Sequence, residues 1–154
     1  MDAITRQSAR AILLDGADLI LIKRTRPGKP PYWVTPGGGV EPEDADIEAA
    51  LRREIHEELA GTLRAPQQVF VSLAPNSRGG LTLHRFFLAT LVAMDPERRT
   101  GPEFGFPENG TYETVRVPFT REGITGVALR PPVLVEFLTA NITALTVLAH
   151  SGGR

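Results

Sequence analysis

The sequence predicts an α/β fold, with a mixed sheet packed between helices. Three observations predict it. Paired aliphatic runs flank turn sequences both before and after one segment of helical period, and a second apolar helix closes the chain. Strands that arrive as hairpins fit a mixed sheet better than a purely parallel one, whose strands alternate with helices. The length of 154 residues, with 42% apolar and 23% charged residues, suits one domain over residues 1–154 with a core of its own.

The elements follow in order. Ala11-Ile12-Leu13-Leu14 and Leu19-Ile20-Leu21-Ile22 flank Asp15-Gly16-Ala17-Asp18, so Ser8 to Arg24 reads as a β-hairpin. A Pro/Gly loop from Pro27 to Pro31 leads to a short segment, Tyr32 to Thr35. Pro36-Gly37-Gly38-Gly39 then breaks regular structure and lets the backbone come close to something. From Asp46, the residues Ile47, Leu51, Ile55 and Leu59 draw one apolar helical stripe, with Gly61 as the stop. Val69–Leu73 and Leu81–Val92 read as strands joined at Asn76–Gly80, and a loop spans Asp95 to Gly110. Tyr112–Phe119 is a further strand. Pro131-Pro132 opens a single last helix, Val133 to about Leu148.

Composition removes several classes of function. A net charge of −1 gives no general grip on a nucleic acid polymer, so phosphate chemistry here needs a local site. The absence of cysteine removes disulfides, thiolate catalysis and zinc–thiolate centres. No apolar run has signal-peptide or membrane-spanning length, so a cytoplasmic protein without membrane contact is expected.

The chemistry-bearing stretch is Gly37 to Gly61. Glu54, Glu57 and Glu58 stand at i, i+3 and i+4, and at ~100° per residue they share one helix face beside the apolar stripe. Like charges at that spacing repel. A hard divalent cation reverses the sign, and Mg²⁺ suits carboxylate oxygen while leaving positions for substrate phosphate. Arg53 is placed to reach Glu57 one turn on and orient it. Taken alone, the glutamates read better as a solvated acidic helix face. The triple glycine at the connection into the helix brings a metal–phosphate site level with that reading, because it exposes backbone amides and carbonyls beside the acids.

This stretch resembles the Nudix box, whose core of Arg-Glu, an aliphatic, any residue and Glu-Glu is matched by Arg53-Glu54-Ile55-His56-Glu57-Glu58. The lead-in Trp33-Val34-Thr35-Pro36-Gly37-Gly38 and the later Val117-Pro118-Phe119 strand followed by a C-terminal helix are also similar to that family. Two positions depart from the motif. Its first glutamate falls on Ala45, with Glu43 and Asp44 just ahead, and its late glycine falls on Ala60. The resemblance implies a Nudix-type α/β/α sandwich and a Mg²⁺-dependent (or Mn²⁺-dependent) hydrolase cleaving a phosphoanhydride bond in a nucleoside diphosphate linked to another group. It implies metal ligands Glu54, Glu57 and Glu58, a catalytic part for Glu54, Glu57 and Arg53, and help from a carbonyl of Gly38 or Gly39. The general base is Glu54 or a later glutamate, with Glu103, Glu108 and Glu113 as candidates.

Other residues carry weaker expectations. Arg24, with Lys23 beside it, is a candidate for substrate phosphate at a strand end, and Arg78 lies in a glycine turn. His56 is expected to face away from the metal, His84 to be packed in a strand, and Trp33 to anchor the glycine segment. Phe86 and Phe87 must point to opposite faces. The partner expected is a small nucleotide-type diphosphate; the oligomeric state stays open, with a homodimer as one option. The rival function is a non-catalytic nucleotide or sugar-nucleotide sensor of the same fold. An isomerase of that fold lacks its cysteine here, and a decapping relative lacks a basic extension.

Overall fold

The computed structural model describes residues 3–99 and 110–152. A seven-stranded mixed sheet forms the centre. Strands β1 (Ile4–Asp15) and β2 (Asp18–Thr25) make the expected hairpin, but they pair directly only from Leu13 to Asp15. Beyond that the hairpin opens like a fork. Strand β3 (Tyr32–Val34) takes the free edge of β2 at Ile22–Arg24, and β4 (Gly37–Gly39) takes that of β1 at Ser8–Arg10. On the other edge of β1 runs β6 (Leu81–Ala93), which is parallel to it and is itself bordered by the antiparallel edge strand β5 (Thr62–Pro75). Strand β7 (Thr111–Pro118) covers the remaining edge of β2.

The glycine segment is therefore a strand and not the irregular breaker expected from its composition. The reason is steric. A Cβ on Gly37 would stand 2.3 Å from the Ala9 carbonyl oxygen, at a backbone φ of +141°. Only glycine lets a chain enter a fork this narrow.

Helix α1 (Ile47–Leu59) packs on one face of the sheet. Asp46 caps it by accepting from the Ala49 amide at 2.7 Å. Leu51, Ile55 and Leu59 are fully buried against Ala9, Ala11, Leu13, Ile20 and Phe87. Ala60, not Gly61, supplies the left-handed residue that ends the helix, with φ 45° and ψ 47°. The opposite face of the sheet is covered by α2 (Arg121–Thr125), α3 (Pro132–Ala140) and α4 (Ile142–Gly152), which bury Ile12, Leu19, Phe86 and Leu88. Phe86 and Phe87 lie in opposite cores, as alternation requires.

Three further differences from the sequence reading have physical causes. Strand β5 begins well before Val69, because a bulge with Ala65 at φ 53° carries the edge strand past Pro66. The last helix is two, α3 and α4, bent by 75° at Asn141, whose side chain donates to the Phe137 carbonyl. A 3-10 turn, Pro96–Arg98, interrupts the segment read as loop, and the short α2 forms in a stretch to which the sequence reading gave no element. No single described helix is long and apolar enough to cross a membrane; α3 and α4 reach that length and composition only as a bent pair.

Candidate active site

The site is where β4 meets the second half of α1. The sheet fork fixes β4, and the apolar stripe fixes the rotation of α1, so the polar residues beside the stripe face the glycines. Glu54 is buried, with 9% of its surface exposed. A Cβ on Gly38 would come within 2.6 Å of its carboxylate, so the missing side chain is what leaves that carboxylate uncovered. Glu58 accepts a hydrogen bond from the Gly37 amide at 3.1 Å.

Arg53 organises the acids. Its Nε and Nη2 donate to the two oxygens of Asp44 at 2.9 and 3.0 Å, a two-pronged pairing. Nη2 also donates to the Gly39 carbonyl at 2.9 Å, and Nη1 reaches Glu54 at 3.0 Å and Glu57 at 3.2 Å. The contact with Glu57 is the one-turn pairing read from helix register. Asp44 is the partner that the sequence reading left aside. It supplies a carboxylate one residue ahead of the motif's acidic position at Ala45. Its pKa is held below the ordinary carboxylate value, first by the Arg53 side chain and then by the Glu41 amide. The Arg53 guanidinium is correspondingly raised, chiefly by Asp44 and against the penalty of burial. Of the glycine carbonyls, that of Gly39 is therefore engaged with Arg53.

Among the described residues, no three His, Asp or Glu side chains stand close enough together to make a ready-formed metal cage. The donor set nonetheless fits a hard divalent cation. Three carboxylates occupy one face of α1, and Gly38 keeps the space above Glu54 clear of any side chain.

On the far side of β4 the charge is reversed. Arg10, on β1, donates through Nη1 to the Thr35 carbonyl at 3.1 Å and to that of Gly37 at 3.4 Å. Burial lowers its pKa, and the fields of Glu58 and Glu54 oppose that effect. A Cβ on Gly39 would meet the Arg6 guanidinium at 2.5 Å, so Arg6 also lies against the glycine strand. Neither arginine was singled out from the sequence. The available signal was a cation in the middle of Ala9–Leu14, an otherwise apolar strand.

The remaining predicted residues are placed as follows. Arg24 lies on β2 with its guanidinium 4.0 Å over Tyr112 and 5.8 Å from Tyr32, within the field of Arg10 and not at the glutamates. Lys23 sits 5.5 Å over Trp33, whose backbone binds Ala128 and Arg130. His56 is exposed, and Arg78 is exposed in its turn. His84 is packed in β6 with Nδ1 2.6 Å from the Ser8 hydroxyl oxygen. Glu113 lies on β7 opposite Lys23 of β2, whereas Glu103 and Glu108 fall outside the described residues.

Comparison with known proteins adds two findings. Residues 5–109 match the NUDIX domain family. The fold is similar to that of a NUDIX hydrolase from Nitrosomonas europaea, with a TM-score of 0.69 and 20% identity over 90% of this chain and 88% of that one. A MutT NUDIX hydrolase from Burkholderia pseudomallei gives a TM-score of 0.61 and 22% identity, covering 90% and 98% of the two chains. A MutT protein from Methanosarcina mazei gives 0.56 and 19%, covering 91% and 94%. No functionally curated protein matches the sequence.

Proposed function

The chain belongs to the NUDIX family, and we propose that it is a divalent-metal-dependent hydrolase that cleaves the phosphoanhydride bond of a nucleotide-type diphosphate. One observation carries the reading. A strand of three glycines separates an acidic helix face, Glu54, Glu57 and Glu58, from two arginines, Arg6 and Arg10, that lie against the same glycines. A phosphoryl chain needs this pairing: oxygen donors for its cation on one side and guanidinium groups for its own charge on the other.

Glu54, Glu57 and Glu58 would hold Mg²⁺ or Mn²⁺. When bound, the cation supplies Lewis acidity and neutralises charge on the phosphoryl oxygens. Arg53 keeps Glu54 and Glu57 in place by bonding both while anchored on Asp44 and the Gly39 carbonyl. The Gly37 amide sets the rotamer of Glu58. Arg10, fixed on two backbone carbonyls, orients the substrate's anionic oxygens against the glycine strand.

The test is phosphate release from a panel of diphosphate compounds, with and without Mg²⁺, together with Mn²⁺ binding measured by calorimetry. Glu57→Gln is expected to lower metal-dependent turnover by about a hundredfold or more, as loss of several kcal/mol of charge stabilisation implies, and to weaken Mn²⁺ binding. Undiminished turnover and binding in that variant would remove the metal assignment. A wild-type protein that binds nucleotide but turns over none would instead be a sensor.

A further inference from the structure

Strand β5 borders the sheet on one side and pairs, among the described strands, with β6 alone. Its two halves are built differently. Arg64, the left-handed Ala65 and Pro66 blunt the first half with a charge, a bulge and a proline, which keep a sheet edge from pairing with other chains. The second half, Gln67 to Pro75, carries no charged residue and no proline before its last position. From Phe70 to Pro75 it runs in unbroken register with β6, and Phe70 anchors it by stacking on Phe137 with ring centroids 4.5 Å apart. Among the described residues, no backbone group outside β6 bonds the backbone of that stretch. Two of its aliphatic side chains lie open to solvent, Val71 at 47% and Leu73 at 55% exposure. Two residues apart on a strand, they share one face of the sheet.

We propose that this edge docks a second copy of the chain, the two β5 strands pairing antiparallel about a two-fold axis at Ser72 so that one sheet runs through the dimer. An open row of backbone donors and acceptors calls for another strand. The side chains say which strand, and in which register. Pairing about Ser72 sets Val71 against Leu73 of the second copy and Leu73 against its Val71. Four exposed aliphatics on one sheet face then cover one another, with the same patch used on both copies. Moving the axis to Val71 sets Leu73 against Val69, which a bulge displaces from the regular ladder. Moving it to Leu73 sets Val71 against Pro75. A foreign strand would have to bring aliphatics at the matching spacing, which this chain already carries.

Charge favours the same partner. An identical copy brings an uncharged strand to an uncharged strand, and at a net charge of −1 two whole chains repel only weakly. Arg85, which lies beside Val71 on β6, is engaged by Gln7 at 2.8 Å and Gln68 at 3.2 Å. The junction is small, a short strand pair with two aliphatics from each copy, so association belongs in the micromolar range. The glycine strand β4 stays clear of it, because β1 and β6 lie between β4 and β5.

The experiment is sedimentation velocity on the whole chain from about 1 to 100 µM. Wild type is expected to pass from monomer to dimer over that range. Leu73→Lys, at a position open to solvent in the single chain, is expected to weaken dimerisation at least about tenfold and leave the urea midpoint of the monomer unchanged. The sequence has no cysteine, so one introduced thiol reports only pairing between copies. In Ser72→Cys the two thiols face each other at the axis, where Cα atoms ~4.5–5.5 Å apart are within reach of a disulfide. Mild oxidation is expected to yield a covalent dimer at least about tenfold faster than in Val92→Cys, whose residue is more exposed but stands on β6. A monomer at every concentration, an assembly larger than a dimer, a dimer that Leu73→Lys leaves intact, or a Ser72→Cys variant that cross-links no faster than Val92→Cys overturns the proposal.

Discussion

At Gly38 an ideal Cβ would stand 2.6 Å from the carboxylate carbon of Glu54 and 2.6–2.7 Å from its two oxygens, with nothing else nearer. The obstacle is the end of a flexible side chain, so Gly38→Ala is accommodated by displacing Glu54 and not by moving backbone. Stability should stay within about 1 kcal/mol of wild type. Turnover should fall by about a hundredfold, because a misplacement near 1 Å at a reacting centre costs that much. Gly37→Ala is the contrast. Its Cβ meets the Ala9 carbonyl and the Arg10 Cα, both backbone, at a φ reserved for glycine. That variant should lose about 3 kcal/mol of stability or more. Urea unfolding and steady-state phosphate release on both variants separate the two roles. If Gly38→Ala retains full turnover, the uncovered Glu54 carboxylate has no part in the chemistry.

At the scale of elements, α1 was legible because its two signals agree. The apolar stripe gave its rotation, and the Arg53–Glu58 pattern gave its acidic face beside the glycine strand. Its end was misread at a single residue. Ala60 occupies the left-handed conformation at the position where the motif has glycine, closing the helix through its amide to His56 while Gly61 bonds back to Ile55. An L-residue there costs ~1–2 kcal/mol, part of which glycine returns as unfolded-state entropy. Ala60→Gly should therefore raise the unfolding free energy by about 1 kcal/mol in urea titration; a loss would mean that the Ala60 methyl group packs usefully. Other elements escaped the sequence for reasons of context. The β4 pairing depends on β1, which lies far back in the chain; β5 crosses Pro66 through a bulge; and Asn141 divides a helix whose apolar composition is continuous. The site divides along the same line. The glutamates and Arg53 follow from local spacing, whereas Asp44, Arg6, Arg10 and Thr35 become neighbours only once the glycine strand is seated in the fork.

Across the whole molecule, the sheet separates two cores that do different work. Ala50, Leu51, Ile55 and Leu59 set the position of the acidic face against Ala9, Ala11 and Leu13. Leu138 and Leu145 join Leu88, Ile124 and Leu134 in the other core, away from the glutamates. Removing a buried aliphatic side chain from either core costs ~2–5 kcal/mol by transfer and cavity terms together. The consequence for chemistry should differ. Leu145 is 2% exposed on α4, which carries no residue of the acidic cluster, so Leu145→Ala should lose stability and keep its kcat below the unfolding transition. Ile55 is fully buried between Glu54 and Glu57 in sequence, and relaxation into its cavity moves the helix that carries both. Ile55→Ala should lose both stability and kcat. Urea midpoints and turnover measured on the two variants at the same temperature provide the comparison. Equal loss of kcat would show that the two cores are mechanically coupled through the sheet, and that the site depends on the packing of the whole fold.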